Sequence, residues 1–341
     1  MQKKLISILQ YCFFLGLGIF LVWWTITKMS DKDYQDFISS LKSANYYLLI
    51  PVFFILSLSH LSRAIRWKIL MKSMGYNPRL SNTFCAVLVG YLANFALPRL
   101  GEVLKCTILG KYEKVPADKL VGTILIERAV DLVSFLIVII ISLLTQAHIV
   151  GDFANDFFNS YILGDNITMS VVKIGVMLSI ILASFFALKF VFKKYLHIKF
   201  VKKLKDITGG IIEGLLSIKN LKNKWLFILH SVLIWSCYVV GTYVGFFAIK
   251  ETAGLPALAA FPVLVFGTVA TILTPGGIGS YPELVMKAML LYNIPEGFGK
   301  ANGLLQWSAQ FVIVLVVGCI CLAILPYLNK PKHEISTVDT K

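Results

Sequence analysis

Six ionisable side chains lie inside or beside the most apolar stretches of the chain: Arg99, Glu102, Glu127, Arg128, Asp131 and Glu283. In hydrocarbon such a group costs at least about 2.5–3.5 kcal/mol on insertion scales, so each marks a candidate site for an ion, a proton or a lipid headgroup. His60, Arg63 and Arg66 follow one another at a spacing of three, which puts them on one helix face. A guanidinium holds phosphate through forked hydrogen bonds. A carboxylate at depth can meet a cationic group, or carry a proton once burial raises its pKa. Each position also has a plainer reading. Glu127 and Asp131 can pair with Arg128, Arg99 or Arg63 and so join helices. Arg63 and Arg66 can be anchors that reach for the interface. His60 can be a satisfied core histidine. Asn94, one turn before Pro98, reads as a local cap.

Composition sets the solvent of these groups. Of 341 residues, 57% are hydrophobic and 15% charged, against about 25% charged in a soluble domain. With a mean hydropathy of +0.77, this excludes a soluble domain, a disordered chain and a nucleic-acid-binding domain. The charge is lopsided, with 33 Lys and Arg against 18 Asp and Glu. In a membrane protein that imbalance orients the chain. The six cysteines, Cys12, Cys85, Cys106, Cys237, Cys319 and Cys321, have neither CxxC nor zinc spacing and read as small buried hydrophobes. No metal, no cofactor and no catalytic residue is expected.

A helix needs about 20 apolar residues to cross the ~30 Å hydrocarbon core. Six segments qualify: 5–26, 46–66, 119–145, 169–192, 225–249 and 303–326. The first follows Lys3 and Lys4 but is too long for a signal peptide and lacks its cleavage site. Two other apolar regions, 80–112 and 256–292, are broken in the middle. The breaks are Pro98-Arg99-Leu100-Gly101-Glu102 and the run from Pro275 through Gly276, Gly277 and Gly279 to Pro282-Glu283. If each broken region is a hairpin that returns to its own side, most Lys and Arg gather with both termini on one face. The 146–168 loop opposite carries Asp152, Asp156 and Asp165 and no base. The basic face is then cytoplasmic. The nine lysines of 193–224, with apolar residues at helical spacing, suit a helix on that membrane surface.

The expected fold is therefore an all-α integral membrane protein with about six full transmembrane helices, two re-entrant hairpins and cytoplasmic termini. Residues 1–330 form one transmembrane domain, followed by a short tail, 331–341. Its halves, about 1–150 and 165–330, each read span, span, broken hairpin, span. Three crossings per half invert the second half, the pattern of secondary transporters whose interrupted segments mark the binding site. Pro98 matches Pro275, Pro116 matches Pro295, and Glu127 and Asp131 match Gln306 and Gln310. Unpaired backbone at depth must be buried in protein or line a cavity. The two tips should therefore approach each other near the midplane.

Four stretches carry a resemblance: Arg63-Ala-Ile-Arg66-Trp67, Gly90 to Asn94 running on to Glu102, Glu127-Arg128-Ala-Val-Asp131, and Pro275-Gly276-Gly277-Ile278-Gly279. In this order they resemble the lysylphosphatidylglycerol synthase transmembrane-region family, a flippase-like domain, over about residues 5–326. The resemblance implies a multi-pass protein of a bacterial or archaeal cell inner membrane. In the members best understood, the domain moves aminoacylated phosphatidylglycerol between leaflets while a separate soluble domain attaches the amino acid. Relatives are associated with hopanoid lipids or lipid-linked sugars. From Tyr327 to Lys341 there is no room for a synthase domain, so aminoacyl transfer is not expected. The expected function is lipid transport: a phospholipid or lipid-linked headgroup, with an anionic group, passes between leaflets. The substrate-binding candidates are Arg63, Arg66, Asn94, Pro98, Arg99, Gly101, Glu102, Glu127, Arg128, Asp131, Pro275, Gly276, Gly277, Gly279 and Glu283. The alternatives are a membrane-embedded headgroup or glycosyl transferase, or a non-catalytic subunit beside a separate lipid-modifying enzyme.

Overall fold

The computed structural model describes residues 27–96, 100–146 and 221–330, with the isolated positions 16, 20, 23 and 219. Apart from those positions, the spans expected over 5–26 and 169–192 lie outside the described residues. So do most of the lysine-rich segment, the 331–341 tail, and Pro98 and Arg99 themselves. The described residues form helices and turns, with no strand among them. In chain order the helices are α1 (Asp31–Ser43), α2 (Leu49–Ser73), α3 (Leu80–Ala96), α4 (Leu100–Glu113), α5 (Ala117–Thr145), α6 (Lys224–Phe246), α7 (Ala260–Leu273), α8 (Ser280–Leu290) and α9 (Glu296–Leu328). Short 3₁₀ turns at Tyr46–Leu48 and Ala257–Ala259 lead into α2 and α7, and Pro275–Gly277 separates α7 from α8.

Three described stretches are long and apolar enough to cross a membrane: Tyr46–Ser73, Lys224–Phe246 and Glu296–Leu328. They coincide with three of the expected spans. The first and last extend beyond the sequence boundaries because Lys68 and Lys72, or Glu296 and Lys300, continue the helix past its apolar part. Large apolar side chains, among them Tyr47, Ile50, Phe54, Trp225, Leu229 and Tyr327, stand on the outer surface of these helices. In water so much exposed apolar surface is a liability; in a bilayer it is the lipid contact. Sequence reading missed α1. Ser30 caps it, its Oγ accepting from the Asp33 N–H at 3.1 Å, and Asp31 and Asp33 occupy the first turn, where the helix dipole favours acids.

The chain divides into two compact units, residues 1–124 with 222–341, and residues 125–221. In the second unit, Glu127 is buried and Asp131 half-buried, whereas Arg128 is exposed. Glu127 and Asp131 therefore share a face that Arg128 does not. The first unit holds both broken regions.

Within that unit α2 and α6 pack closely and antiparallel. Ile55 and Leu56 lie by Gly241, Arg63 by Tyr238, Ser62 by His230, and Arg66 by Ser231 and Phe227. Each broken region is a helical hairpin, α3/α4 and α7/α8, bent where Pro and Gly interrupt the apolar run. The 33-residue α9 carries both. α8 runs antiparallel along its N-terminal part, Pro282 meeting Gly303 and Met286 meeting Gly299. α3 runs antiparallel along its C-terminal part: Asn82 and Asn329 exchange amide hydrogen bonds, and Leu88 and Leu92 meet Gly318. The hairpins thus approach from opposite ends of α9, and small residues let them come close.

Candidate functional site

The described ends of the two helix pairs meet near the middle of α9. Gly276, in the second tip, lies against the Phe95 ring at the end of α3; a Cβ on Gly276 would overlap that ring. Phe95 meets Phe311 edge-on with centroids 5.1 Å apart, and Phe311 stacks on Trp307 at 5.2 Å. The Trp307 indole donates to the Gly276 carbonyl at 2.8 Å. Aromatic pairs of this kind contribute about 0.5–1.5 kcal/mol each beyond their buried area. They close the tip contact with an apolar layer.

Each tip has its own internal bracing. In the first, the Asn94 side-chain oxygen accepts from the Gly101 N–H at 2.8 Å, which is the cap expected of Asn94. Gly101 lies against the Gly90 carbonyl so closely that no side chain fits between the arms. Glu102 is half-buried in the first turn of α4. One turn on, the Lys105 ammonium stands 4.2 Å above the ring of the fully buried Trp67, whose indole donates to Thr123 at 2.8 Å. In the second tip Gly276, Gly277 and Gly279 hold φ of 61°, 77° and 77°, a region in which side chains are strained. Thr274 and Ser280 share a hydrogen bond of 2.6 Å across the turn, and Ser280 also donates to the Ala270 carbonyl. Pro275 opens this turn as the first residue of its 3₁₀ segment.

Beside the tips is a cavity of about 70 Å³ bounded by α2, α6, α7, α8 and α9. Its polar lining is Tyr238, Thr242, Tyr281, Gln306 and Gln310. Gln306 and Gln310 do share an inward face. Asn302 extends that row by one turn: it donates to the Gly245 carbonyl and to Thr252, and it accepts from Gln306 at 2.6 Å. Gly245 permits this because a Cβ there would come 2.9 Å from Gln306.

The two arginines are not snorkelling anchors. Arg63 is 7% exposed and Arg66 is fully buried. Arg63 donates to the Tyr238 hydroxyl at 3.4 Å and lies 5.9 Å over the Tyr91 ring. Arg66 donates to Ser231 at 3.2 Å and lies over Phe227. Arg63 is thus one hydrogen bond from the cavity wall. His60 packs its ring 5.2 Å from the same Tyr91. Among the described residues, neither His60 ring nitrogen nor the Ser59 hydroxyl has a hydrogen-bond partner, although both side chains are buried. His60 is therefore not a satisfied core histidine; His230, half-buried, is bonded to Ser62 at 2.8 Å.

Glu283 has a partner that sequence reading missed. Lys300, 4% exposed, sits 3.5 Å from Glu283 and 3.6 Å from Glu296. The expected set thus falls into groups. Arg63 and Arg66 face α6, Asn94 and Gly101 brace one tip, and Pro275 to Gly279 form the other. Glu283 binds Lys300 at its edge. Glu127, Arg128 and Asp131 belong to the second unit. Of the cysteines, Cys85, Cys237 and Cys321 are buried as expected, and Cys85 and Cys321 hydrogen-bond between α3 and α9; Cys319 is exposed. No group of His, Cys, Asp and Glu among the described residues could hold a metal ion.

Comparison with known proteins shows the family of the chain. The family described as the lysylphosphatidylglycerol synthase TM region matches residues 8–328. The UPF0104 membrane protein MJ1595 of Methanocaldococcus jannaschii is 22% identical over 308 residues, covering 84% of this chain and 88% of that protein. No solved structure matches.

Proposed function

Because the chain belongs to the lysylphosphatidylglycerol synthase transmembrane-region family, we propose that this membrane protein is a flippase-like transporter. It moves a phospholipid or lipid-linked headgroup between the leaflets of the cell inner membrane and carries out no bond chemistry. The observation that supports this reading best is the meeting of two hairpin tips halfway along α9, beside a polar cavity and a buried arginine. In this reading α3/α4 re-enters from the cytoplasm and α7/α8 from outside, among about six full spans with cytoplasmic termini. A headgroup crosses in the protein while its tails stay in the bilayer.

Roles follow from chemistry. Arg63 holds a phosphate oxygen, assisted by His60 and Ser59, whose buried polar atoms have bonding capacity to offer. An orphaned buried polar group costs about 1–3 kcal/mol, which a bound oxygen recovers. By its charge and place in the sequence Arg99 is a further phosphate-binding candidate, and Glu102 would meet a cationic headgroup or carry a coupling proton. Any enzyme that attaches the headgroup is a separate partner. The test is leaflet exchange of fluorescent phospholipid in liposomes holding the purified full chain, read by quenching of the outer leaflet. Exchange above protein-free vesicles is expected, with Arg63→Gln reducing it at least tenfold. No exchange with any phospholipid tried would overturn the proposal.

A further inference from the structure

A second space adjoins the cavity beside the tips. This groove of about 350 Å³ runs along α1, α2 and α9, and Leu49, Leu305 and Ala309 line both it and the polar cavity. Apart from Tyr46 and Ser308 its lining is apolar. Together the two spaces form an amphiphilic site, an apolar groove and a smaller hydrogen-bonding chamber that meet at these three residues. The groove falls in the ~300–1,000 Å³ range of small-molecule sites, which are mostly apolar with a few polar groups that set orientation.

The character of the chamber is specific. Two amides, two phenols and a threonine hydroxyl face it, and among the described residues no charged side chain lines either space. Amides and hydroxyls both donate and accept, which matches groups that do the same. They do not compensate a full positive charge removed from water. The nearest acid at the second tip, Glu283, is held by Lys300. The nearest described base at the wall, Arg63, donates to the Tyr238 hydroxyl.

We propose that this site binds a lipid with one hydrocarbon tail in the groove and an uncharged, hydroxyl-bearing headgroup in the chamber, read by Gln306 and Gln310, and that it discriminates against ammonium headgroups. The inference rests on the transport reading but concerns selectivity rather than movement. A glycosyl diacylglycerol and the glycerol end of phosphatidylglycerol offer the same hydroxyl chemistry. They differ in phosphate, which would reach Arg63.

Native mass spectrometry of the full chain in detergent, titrated with three lipids of identical tails, tests it. The lipids are glucosyl diacylglycerol, phosphatidylglycerol and phosphatidylethanolamine. The two hydroxyl-bearing lipids should bind at least tenfold more tightly than phosphatidylethanolamine. Arg63→Gln should weaken phosphatidylglycerol alone if its phosphate occupies that seat; an equal loss for the glucosyl lipid would overturn the division between seat and chamber. Ser308→Trp, which fills the groove, should weaken all three. Gln310→Glu, which adds an acid with little change in shape, should move the preference toward phosphatidylethanolamine. Tighter or equal binding of phosphatidylethanolamine to the unmodified chain would overturn the proposal, as would a preference unmoved by Gln310→Glu or binding indifferent to Ser308→Trp. Selective binding without leaflet exchange would defeat the transport reading and leave this one standing. Exchange without headgroup selectivity would do the reverse.

Discussion

The two hairpins solve the same problem with different materials. Both pair two apolar helices whose sequence is interrupted by a proline, and in each a glycine eight residues before that proline, Gly90 or Gly267, makes room for the returning arm. In the first hairpin what fills the room is backbone: Gly101 lies on the Gly90 carbonyl. In the second it is a side chain, the Tyr281 ring, which would stand 2.8 Å from a Cβ on Gly267. Their outside ties differ too. The open end of the first is clamped by hydrogen bonds, Glu113 accepting from the Arg79 N–H and from Asn82. The second is tied to α9 by charge close to its tip, Lys300 standing between Glu283 and Glu296. A backbone contact admits almost no adjustment, whereas a ring in contact with a glycine can be traded for another shape.

The largest test of that difference is Gly101→Leu. A side chain there must displace the Gly90 carbonyl, and overpacking against backbone should cost about 3 kcal/mol or more in thermal unfolding of the purified protein. No side-chain change elsewhere should restore it; recovery by a second-site side-chain truncation would break the comparison. Gly276→Ala comes next, because it combines a positive φ with overlap of the Phe95 ring. It should cost about 2 kcal/mol, of which Phe95→Ala in the same chain should recover part, a coupling of about 0.5–3 kcal/mol between the tips. Additive losses would mean that the tips do not bear on each other. Gly267→Ala should cost about 1–3 kcal/mol alone and much less beside Tyr281→Leu, since the obstacle is a side chain. Asn94→Ala removes one cap and should cost about 1 kcal/mol, with hydrogen exchange rising first at the start of α4. The smallest effect belongs to Glu283→Gln. Its side chain is 31% exposed and Glu296 still faces Lys300, so unfolding should shift by less than about 1 kcal/mol.

What could be read ahead of the structure followed from local chemistry. Pro98 and Pro275 cannot continue a helix without loss, so both breaks were legible, as was the cap role of Asn94. The four-residue spacing of Gln306 and Gln310 gave their shared face. Tertiary partners were not legible. In a membrane protein lipid-facing and core-facing positions are both apolar, so periodicity does not separate Phe95 and Phe311 from neighbours that meet only lipid. Lys300 and Asn302 were overlooked because they precede the apolar part of α9, although Asn302 continues its inward row. Groove and chamber share a wall of Leu49, Leu305 and Ala309, residues from two distant helices with nothing distinctive in type.

The aromatic layer at the tips has an electrical consequence. If the hairpins re-enter from opposite faces as proposed, and water follows each to its tip, the insulating thickness there would shrink from a whole bilayer to the depth of Phe95, Gly276, Trp307 and Phe311. A membrane potential falls mostly where the insulation is, so its drop concentrates across these few side chains. A charged group that passes them meets most of the field in a single short step, worth about 2.3 kcal/mol per elementary charge for each 100 mV, while an uncharged headgroup passes without regard to it.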